Sequence, residues 1–450
     1  MRYLKMIYGN ERGIIVLVFL FALALRLIAV INFSAKYQVL SADAADYDRF
    51  AINLLSGKGF IDPVTEMPTS SRSPLYPLFL AMIYSIFGHS YFSARIAQCL
   101  LGSLLCVIIF YIGKDIFGKK AGLLSAVLLC AYPPYIFYSF FGGPVFLLSE
   151  NLFTFIFGIF VLFAVRVLFI KTNYINSFIS GALIALLVLT RPVFALFPFF
   201  LAILIFYKDR SFFLAIRKTL VILVGFLAII TPWAARNYAV HKALVPFSTE
   251  GGFALYAGNN PLARGAGLTD TDPLFSKEEL NRLNSAPEVE KDRIFRNKVK
   301  EFLIANYKNL PKLFLKKLLV FWDPYATDYT FKNAYSRQFN PWFFFIIIFA
   351  FPGLIVSLKS KLNINNLLLF SIFIYFIIMT IIFFGEPRFR YPLEPYLIIF
   401  ASSGILGIYN TLSNKLLSTS VVAIAVIINL YLYYCSDFIL NSIRPLLNGW

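Results

Sequence analysis

Two aspartates three residues apart, Asp43 and Asp46, lie in Ser41-Ala42-Asp43-Ala44-Ala45-Asp46-Tyr47-Asp48-Arg49, a polar stretch that follows the first long apolar run. A carboxylate held just above a membrane can take a proton from an attacking hydroxyl. The same spacing suits a helix start, with Asp43 as N-cap and Asp46 three residues on, and spacing alone leaves both readings open. Arg72 stands later in the same stretch, and Arg388 and Arg390 stand in Gly385-Glu386-Pro387-Arg388-Phe389-Arg390-Tyr391-Pro392. A guanidinium can grip a phosphate through two parallel hydrogen bonds. Each of these arginines could meet a phosphate at headgroup depth; pairing with Glu386, Glu394 or lipid headgroups is the alternative. His89 and His241 stand alone. Cys99, Cys106, Cys130 and Cys435 lack metal-ligand spacing and read as packing residues.

The elements that position these groups are membrane spans. Of 450 residues, 59% are hydrophobic and 14% charged, against about 25% charged in a soluble domain. Mean hydropathy is +0.74, and the apolar residues come in long runs. Eleven spans are expected, at about 13–33, 92–117, 121–140, 144–170, 175–189, 193–207, 220–233, 341–358, 367–384, 393–409 and 417–435. The first exceeds a signal-peptide core of about 7–15 residues and reads as retained. Arg26 inside it is expected to face the bundle or snorkel. The net charge of +18 gathers largely in short loops, at Lys119-Lys120, Lys171, Lys208, Arg210, Arg217, Lys218, Lys359, Lys361 and Lys415. That is the positive-inside pattern rather than a nucleic-acid surface. It places the N-terminus in the cytoplasm and the polar stretches 34–91, 234–340 and 385–392 outside. Residues 46–55 read as an amphipathic helix on the membrane, 74–87 as interfacial or re-entrant, 276–306 as helical, and 311–322 as interfacial. Gly251-Gly252 and Gly258-Asn259-Asn260-Pro261 read as turns.

Several segments in this order carry a resemblance. They are Asp43-Ala44-Ala45-Asp46-Tyr47 with Leu54-Leu55-Ser56-Gly57-Lys58-Gly59-Phe60, then Arg72-Ser73-Pro74-Leu75-Tyr76-Pro77-Leu78-Phe79-Leu80, Ser149-Glu150-Asn151-Leu152-Phe153 and Leu189-Thr190-Arg191-Pro192. Thr231-Pro232-Trp233-Ala234-Ala235-Arg236-Asn237-Tyr238, Gly258-Asn259-Asn260-Pro261 and Arg388-Phe389-Arg390-Tyr391-Pro392 follow. Together they resemble the bacterial membrane glycosyltransferases related to the protein O-mannosyltransferases and the lipid A aminoarabinose transferases, similar to glycosyltransferase family 39. The resemblance implies the type C glycosyltransferase fold, all-α and polytopic. It implies transfer of a sugar from a polyprenyl-phosphate donor at the outer face of a bacterial cytoplasmic membrane, to a glycan, lipid or protein hydroxyl. The family's acidic residue in the first outside loop matches Asp43, by its spacing to Tyr47, and is the candidate base. Many relatives carry two adjacent acids where this chain has Asp43-Ala44. Asp46 and Glu150 are supporting candidates, Glu150 matching an acidic residue before the fourth span; a plain interfacial carboxylate is its alternative.

A polyprenyl phosphate is a good leaving group whose departing charge calls for cations. Arg390, then Arg388 and Arg72, are the expected phosphate ligands, and Tyr47, Asn259 and Asn260 the expected substrate contacts. No P-loop or dinucleotide fingerprint occurs, consistent with a lipid-linked donor. No cofactor is required by the sequence; a divalent cation between Asp43 or Asp46 and phosphate oxygens stays open. The expected organisation is a catalytic membrane module at 1–235, an outside loop at 236–340 and C-terminal spans at 341–450. A lipid or sugar-lipid transporter, or a non-catalytic polysaccharide assembly protein, is the rival reading. A transporter more often places its polar groups near the bilayer midplane, whereas here they gather at one side.

Overall fold

The computed structural model describes residues 11–33, 40, 42–62, 65–137, 147–169, 174–268, 274–327, 337–359 and 364–411. The expected span at 417–435, with Cys435, lies outside these, as do Lys171, Lys361 and Lys415. The described chain is almost wholly helical, with one antiparallel pair of three-residue strands, β1 (Tyr325–Thr327) and β2 (Arg337–Phe339). Crossing a hydrocarbon core of about 30 Å takes about 20 apolar residues. Six described helices are long and apolar enough, and four shorter ones are apolar, so the protein is a multi-pass membrane protein.

In chain order the first helices are α1 (Glu11–Phe33), α2 (Ala42–Leu55), α3 (Leu75–Phe87), α4 (Tyr91–Phe117), α5 (Lys119–Ala131), α6 (Pro133–Phe137), α7 (Glu150–Phe169), α8 (Tyr174–Thr190), α9 (Phe197–Asp209) and α10 (Phe212–His241). A module of shorter helices follows, called the outer module for the side on which the sequence places it: α11 (Gly251–Gly258), α12 (Lys277–Ser285), α13 (Glu288–Ala305) and α14 (Leu310–Phe321). The chain then re-enters through α15 (Pro341–Lys359), α16 (Ile364–Ile382) and α17 (Glu394–Thr411).

Small residues set the closest helix pairs. A Cβ on Gly181 of α8 would stand 1.9 Å from the Ile222 carbonyl oxygen of α10, and one on Gly353 of α15 would stand 1.9 Å from the Phe400 carbonyl oxygen of α17. Without a hydrophobic drive between helices in lipid, such backbone approach is what membrane helices use to associate. Within the bundle, Phe157, Phe194, Phe197, Tyr375 and Tyr396 interlock; Phe194 stacks on Phe197 at 4.5 Å and meets Phe157 edge-on at 5.1 Å.

Three expectations need correction. The span at 121–140 is broken, because Pro133 and Pro134 cannot continue α5 and Tyr132 before them is extended. Gly251-Gly252 opens a helix, α11, instead of a turn. The seventh span is a single helix of 30 residues, about 45 Å at 1.5 Å per residue. It overshoots the bilayer, and its far end enters the outer module. There the Arg236 guanidinium donates to the carbonyls of Thr69 and Phe60, each at 2.6 Å. Arg26 is fully buried, donating to the Ala22 carbonyl at 3.0 Å, so it faces the bundle. Lys218 is also buried, paired with Asp209 at 2.9 Å, rather than lying free on the inner surface.

Candidate active site

Helix α2 carries the aspartates. Its apolar positions Ala44, Tyr47, Phe50 and Ala51 turn inward, which leaves Asp43 and Asp46 half-buried on one face, at 30% and 35% side-chain exposure. Asp43 sits within the first helical turn, and its carboxylate is engaged by two arginines. On the opposite side Asp48 accepts from Tyr84 at 2.7 Å and Tyr91 at 3.1 Å and bonds His89 at 2.9 Å, pinning α2 to α3 and the start of α4.

The groups meet in a ladder of alternating charge. Arg72, in the turn before α3, reaches Glu250 at 3.1 Å through Nη1, and Asp43 at 3.0 Å and Asp46 at 2.9 Å through Nη2. Arg388, in the 3-10 turn Pro387–Leu393, reaches the other Asp43 oxygen at 3.2 Å, and its Nε donates to Glu150. Arg191, between α8 and Pro192, bonds Glu150 at 2.7 Å and lies over the Phe389 ring, 5.2 Å from its centroid. Four carboxylates and three guanidiniums, drawn from residues up to 345 positions apart, thus converge at one end of the bundle.

The electrostatics follow from that packing. Loss of water pulls the Arg72 guanidinium down, and Glu250 and Asp43 more than reverse this, so its pKa is raised. Loss of water pushes the Glu250 carboxyl up to about 7; Arg72 opposes this, while Asp43, Asp46 and Glu288 reinforce it. Its side chain keeps 41% of its surface open, which limits what that shift does to stability. Glu386 is also raised, first by lost water, with Arg388 and Arg191 opposing. Burial, then Asp43, raises the Tyr47 phenol.

A second layer fixes the first. Glu150 opens α7 and is fully buried, and one of its oxygens has no hydrogen-bond partner. Beside it the Asn151 amide donates to Gln98 at 3.1 Å and accepts from the Tyr391 hydroxyl at 3.2 Å. Tyr391 in turn stacks on Tyr135 at 4.0 Å. The start of α7 and the Arg388 turn are therefore held together by neutral bonds beneath the charged ladder. Among the described residues no three His, Cys, Asp or Glu side chains converge as a metal site.

Other expected residues lie elsewhere. Arg390 is 2% exposed; it pairs with Glu394 at 3.1 Å, donates to the carbonyls of Phe321 at 2.9 Å and Asp323 at 2.5 Å, and lies 3.6 Å from the Phe343 ring centroid. Asn259 and Asn260 are buried. The Asn260 amide donates to Tyr256 at 2.8 Å and Ala257 at 3.1 Å, closing α11, and Asn259 bonds Leu255, Ile382 and Lys317. Two cluster members had no role assigned from sequence. Arg191 carries the signal that singled out Arg388, an arginine beside proline between apolar runs. Glu250 precedes a glycine pair and gives no such signal.

Sequence comparison matches residues 71–235 to a family described as dolichyl-phosphate-mannose-protein mannosyltransferase. That stretch holds Arg72, Glu150 and Arg191 but not Asp43 or Arg388. No curated protein matches the chain. Among solved structures, ArnT from Cupriavidus metallidurans bound to undecaprenyl phosphate superposes with a TM-score of 0.55 at 14% identity, over 98% of this chain and 73% of that one. The Archaeoglobus fulgidus oligosaccharyltransferase in complex with Zn and sulfate gives 0.55 at 15% identity, over 93% and 52%. The same enzyme tethered to an acceptor peptide gives 0.51 at 14%, over 94% and 53%; this chain spans about half its length. The mannosyltransferase pattern covers residues 71–235, and the chain as a whole has the type C glycosyltransferase fold.

Proposed function

We propose that the protein transfers a sugar from a polyprenyl-phosphate carrier to an acceptor hydroxyl at the outer face of the cytoplasmic membrane, with inversion at the sugar. The observation that carries this reading is Asp43, whose two oxygens face Arg72 at 3.0 Å and Arg388 at 3.2 Å. A candidate base thus stands between two candidate phosphate ligands. The donor phosphate is a diester with one negative charge. As the bond from the sugar anomeric carbon to the phosphate oxygen breaks, its electron pair leaves with the lipid phosphate, which gains a second charge. Arg72 and Arg388, with Arg191 behind them, bind that product charge more tightly than the donor's, so their contribution grows along the reaction. As the guanidiniums turn to phosphate, the Asp43 carboxylate is released to take the acceptor proton while the acceptor oxygen bonds the anomeric carbon. Asp46 and Glu250 keep Arg72 in place, and Glu150 keeps Arg388. The ArnT structure's bound undecaprenyl phosphate supports a lipid-phosphate ligand for this fold.

The test is Asp43→Asn. Asparagine is nearly isosteric and keeps a side-chain oxygen for the two guanidiniums that Asp43 meets, but it cannot accept the proton. Transfer of sugar from a synthetic polyprenyl-phosphate sugar by purified protein in nanodiscs should fall about 100- to 10,000-fold, the range of a general base, with the melting temperature kept. Near-wild-type turnover would leave Asp43 a purely structural residue, and loss in Asp46→Asn alone would move the base to Asp46.

A further inference from the structure

The segment 383–388 presents Glu386 and Arg388 to the charged ladder, and the outer module grips it on several sides. The Gly385 amide donates to the Gly265 carbonyl at 2.8 Å. A Cβ on Gly258 would stand 2.0 Å from the Phe383 carbonyl oxygen, one on Gly267 2.5 Å from the Phe384 ring, and one on Gly385 2.0 Å from the Lys317 carbonyl oxygen. At the centre is the Lys317 side chain, fully buried. Its ammonium donates to the Asn259 side-chain oxygen and to the Ile381 carbonyl, both at 2.8 Å, while the Asn259 amide donates to the Ile382 carbonyl at 2.9 Å. Ile381 and Ile382 end α16, where carbonyls lack partners within their own helix and the dipole favours a cation.

We infer that Lys317 and Asn259 are positioning residues for sugar transfer, a clamp that caps α16 from the outer module and sets where Arg388 stands. This rests on the proposed role of Arg388 as a phosphate ligand. A buried ammonium bonded to neutral oxygens is a costly way to fill space, and an apolar side chain of similar length would serve packing alone as well or better. The clamp supplies direction instead: it seats the last turn of α16 six residues before Arg388, and the glycines let the two backbones touch. The outer module, which already reaches the charged ladder through Glu250 before α11, thereby supports the donor site from a second side.

The test measures undecaprenyl phosphate binding to the full chain in nanodiscs, with melting temperature alongside, for wild type, Lys317→Met, Asn259→Ser, Arg388→Gln and Lys317→Met with Arg388→Gln. Lys317→Met should weaken binding about tenfold in a protein that still folds, its melting temperature lowered by no more than the few degrees that two buried acceptors without their donor cost, and Asn259→Ser about threefold, the scale of one or two hydrogen bonds. Lys317→Met should add nothing once Arg388 is Gln, because residues acting through one contact are not additive. Equal weakening in both backgrounds would overturn the clamp, as would wild-type affinity in Lys317→Met while Arg388→Gln binds poorly. If Lys317→Met does not fold, Asn259→Ser decides by the same comparison. Wild-type affinity in Arg388→Gln would remove the phosphate role itself, and the clamp's purpose with it.

Discussion

Arg388 and Arg390 are two residues apart and do different work. Arg388 belongs to the ladder, joined to Asp43 and Glu150. Arg390 is sealed against Glu394, the Phe343 ring and two carbonyls, of Phe321 at the end of α14 and of Asp323 just beyond it. The expectation from sequence put Arg390 first as a phosphate ligand; the geometry supports Arg388 and Arg72 ahead of it. Arg388→Gln should abolish donor use in a folded protein. Arg390→Gln should strand the buried Glu394 carboxylate and destabilise the fold by about 3–5 kcal/mol, as breaking one side of a buried pair does. Thermal unfolding and donor turnover, measured together on both variants, separate the two. Intact stability with lost turnover in Arg390→Gln would return it to the site.

At the scale of elements, apolar periodicity was legible and local polar chemistry was only partly so. The spans at 13–33, 92–117 and 341–358 match α1, α4 and α15 to within two residues, because a run of apolar residues has few other places to go. The 311–322 pattern sets Leu313, Phe314, Leu318 and Phe321 against Lys312, Lys316 and Lys317, and the helix there buries Leu313 and Phe321. Sequence could not show that Lys317 turns inward with them, since the acceptors that hold it, Asn259 and the Ile381 carbonyl, come from distant segments. Nor could it distinguish glycines that turn from glycines that admit a neighbour, so Gly251-Gly252 reads as a turn where α11 begins. Loss of water pushes the Lys317 ammonium down to about 8. Its folded pKa is thus below the value near 10.4 of an unfolded lysine. A group depressed on folding contributes stability above the unfolded value and loses it as pH falls through the folded one. The wild-type protein should therefore gain stability between about pH 8 and 10.5, by about 3 kcal/mol at most. Chemical unfolding across that window should show the gain in wild type and not in Lys317→Met; a parallel gain in both would mean that another group titrates. Gly181→Leu tests the α8–α10 contact. It should force these helices apart and cost a few kcal/mol, since the obstacle is the Ile222 backbone rather than a side chain that can swing away.

Over the whole molecule, the charged ladder has meaning only if the first polar stretch, the outer module and the 385–392 turn share one side of the membrane. Their contacts require it. Thr249 and Thr69 both bond Glu288 at the start of α13, and the Ser70 amide donates to the same carboxylate at 3.0 Å. Arg72 reaches Glu250 in the segment before α11. The opposite end of α4, 27 residues long, carries Lys114, and Lys119-Lys120 follows it. That is about 40 Å away along the helix, the far side of a bilayer. Reporters fused after Lys120 or Arg210 should therefore read cytoplasmic, and reporters near Gly59, Asn284 and Arg388 should read outside, following the lysines and arginines of the short loops. Cysteine labelling by a membrane-impermeant maleimide in intact cells gives the same answer independently, provided the native cysteines, three of which are buried, are first shown to be unreactive. Labelling of Asn284→Cys with protection of a cysteine placed near Gly59 would put the two halves of the Glu288 junction on opposite faces. No rearrangement of loops could then bring Arg72 and Glu250 to 3.1 Å, and the single reaction face would be lost along with the phosphate chemistry assigned to it.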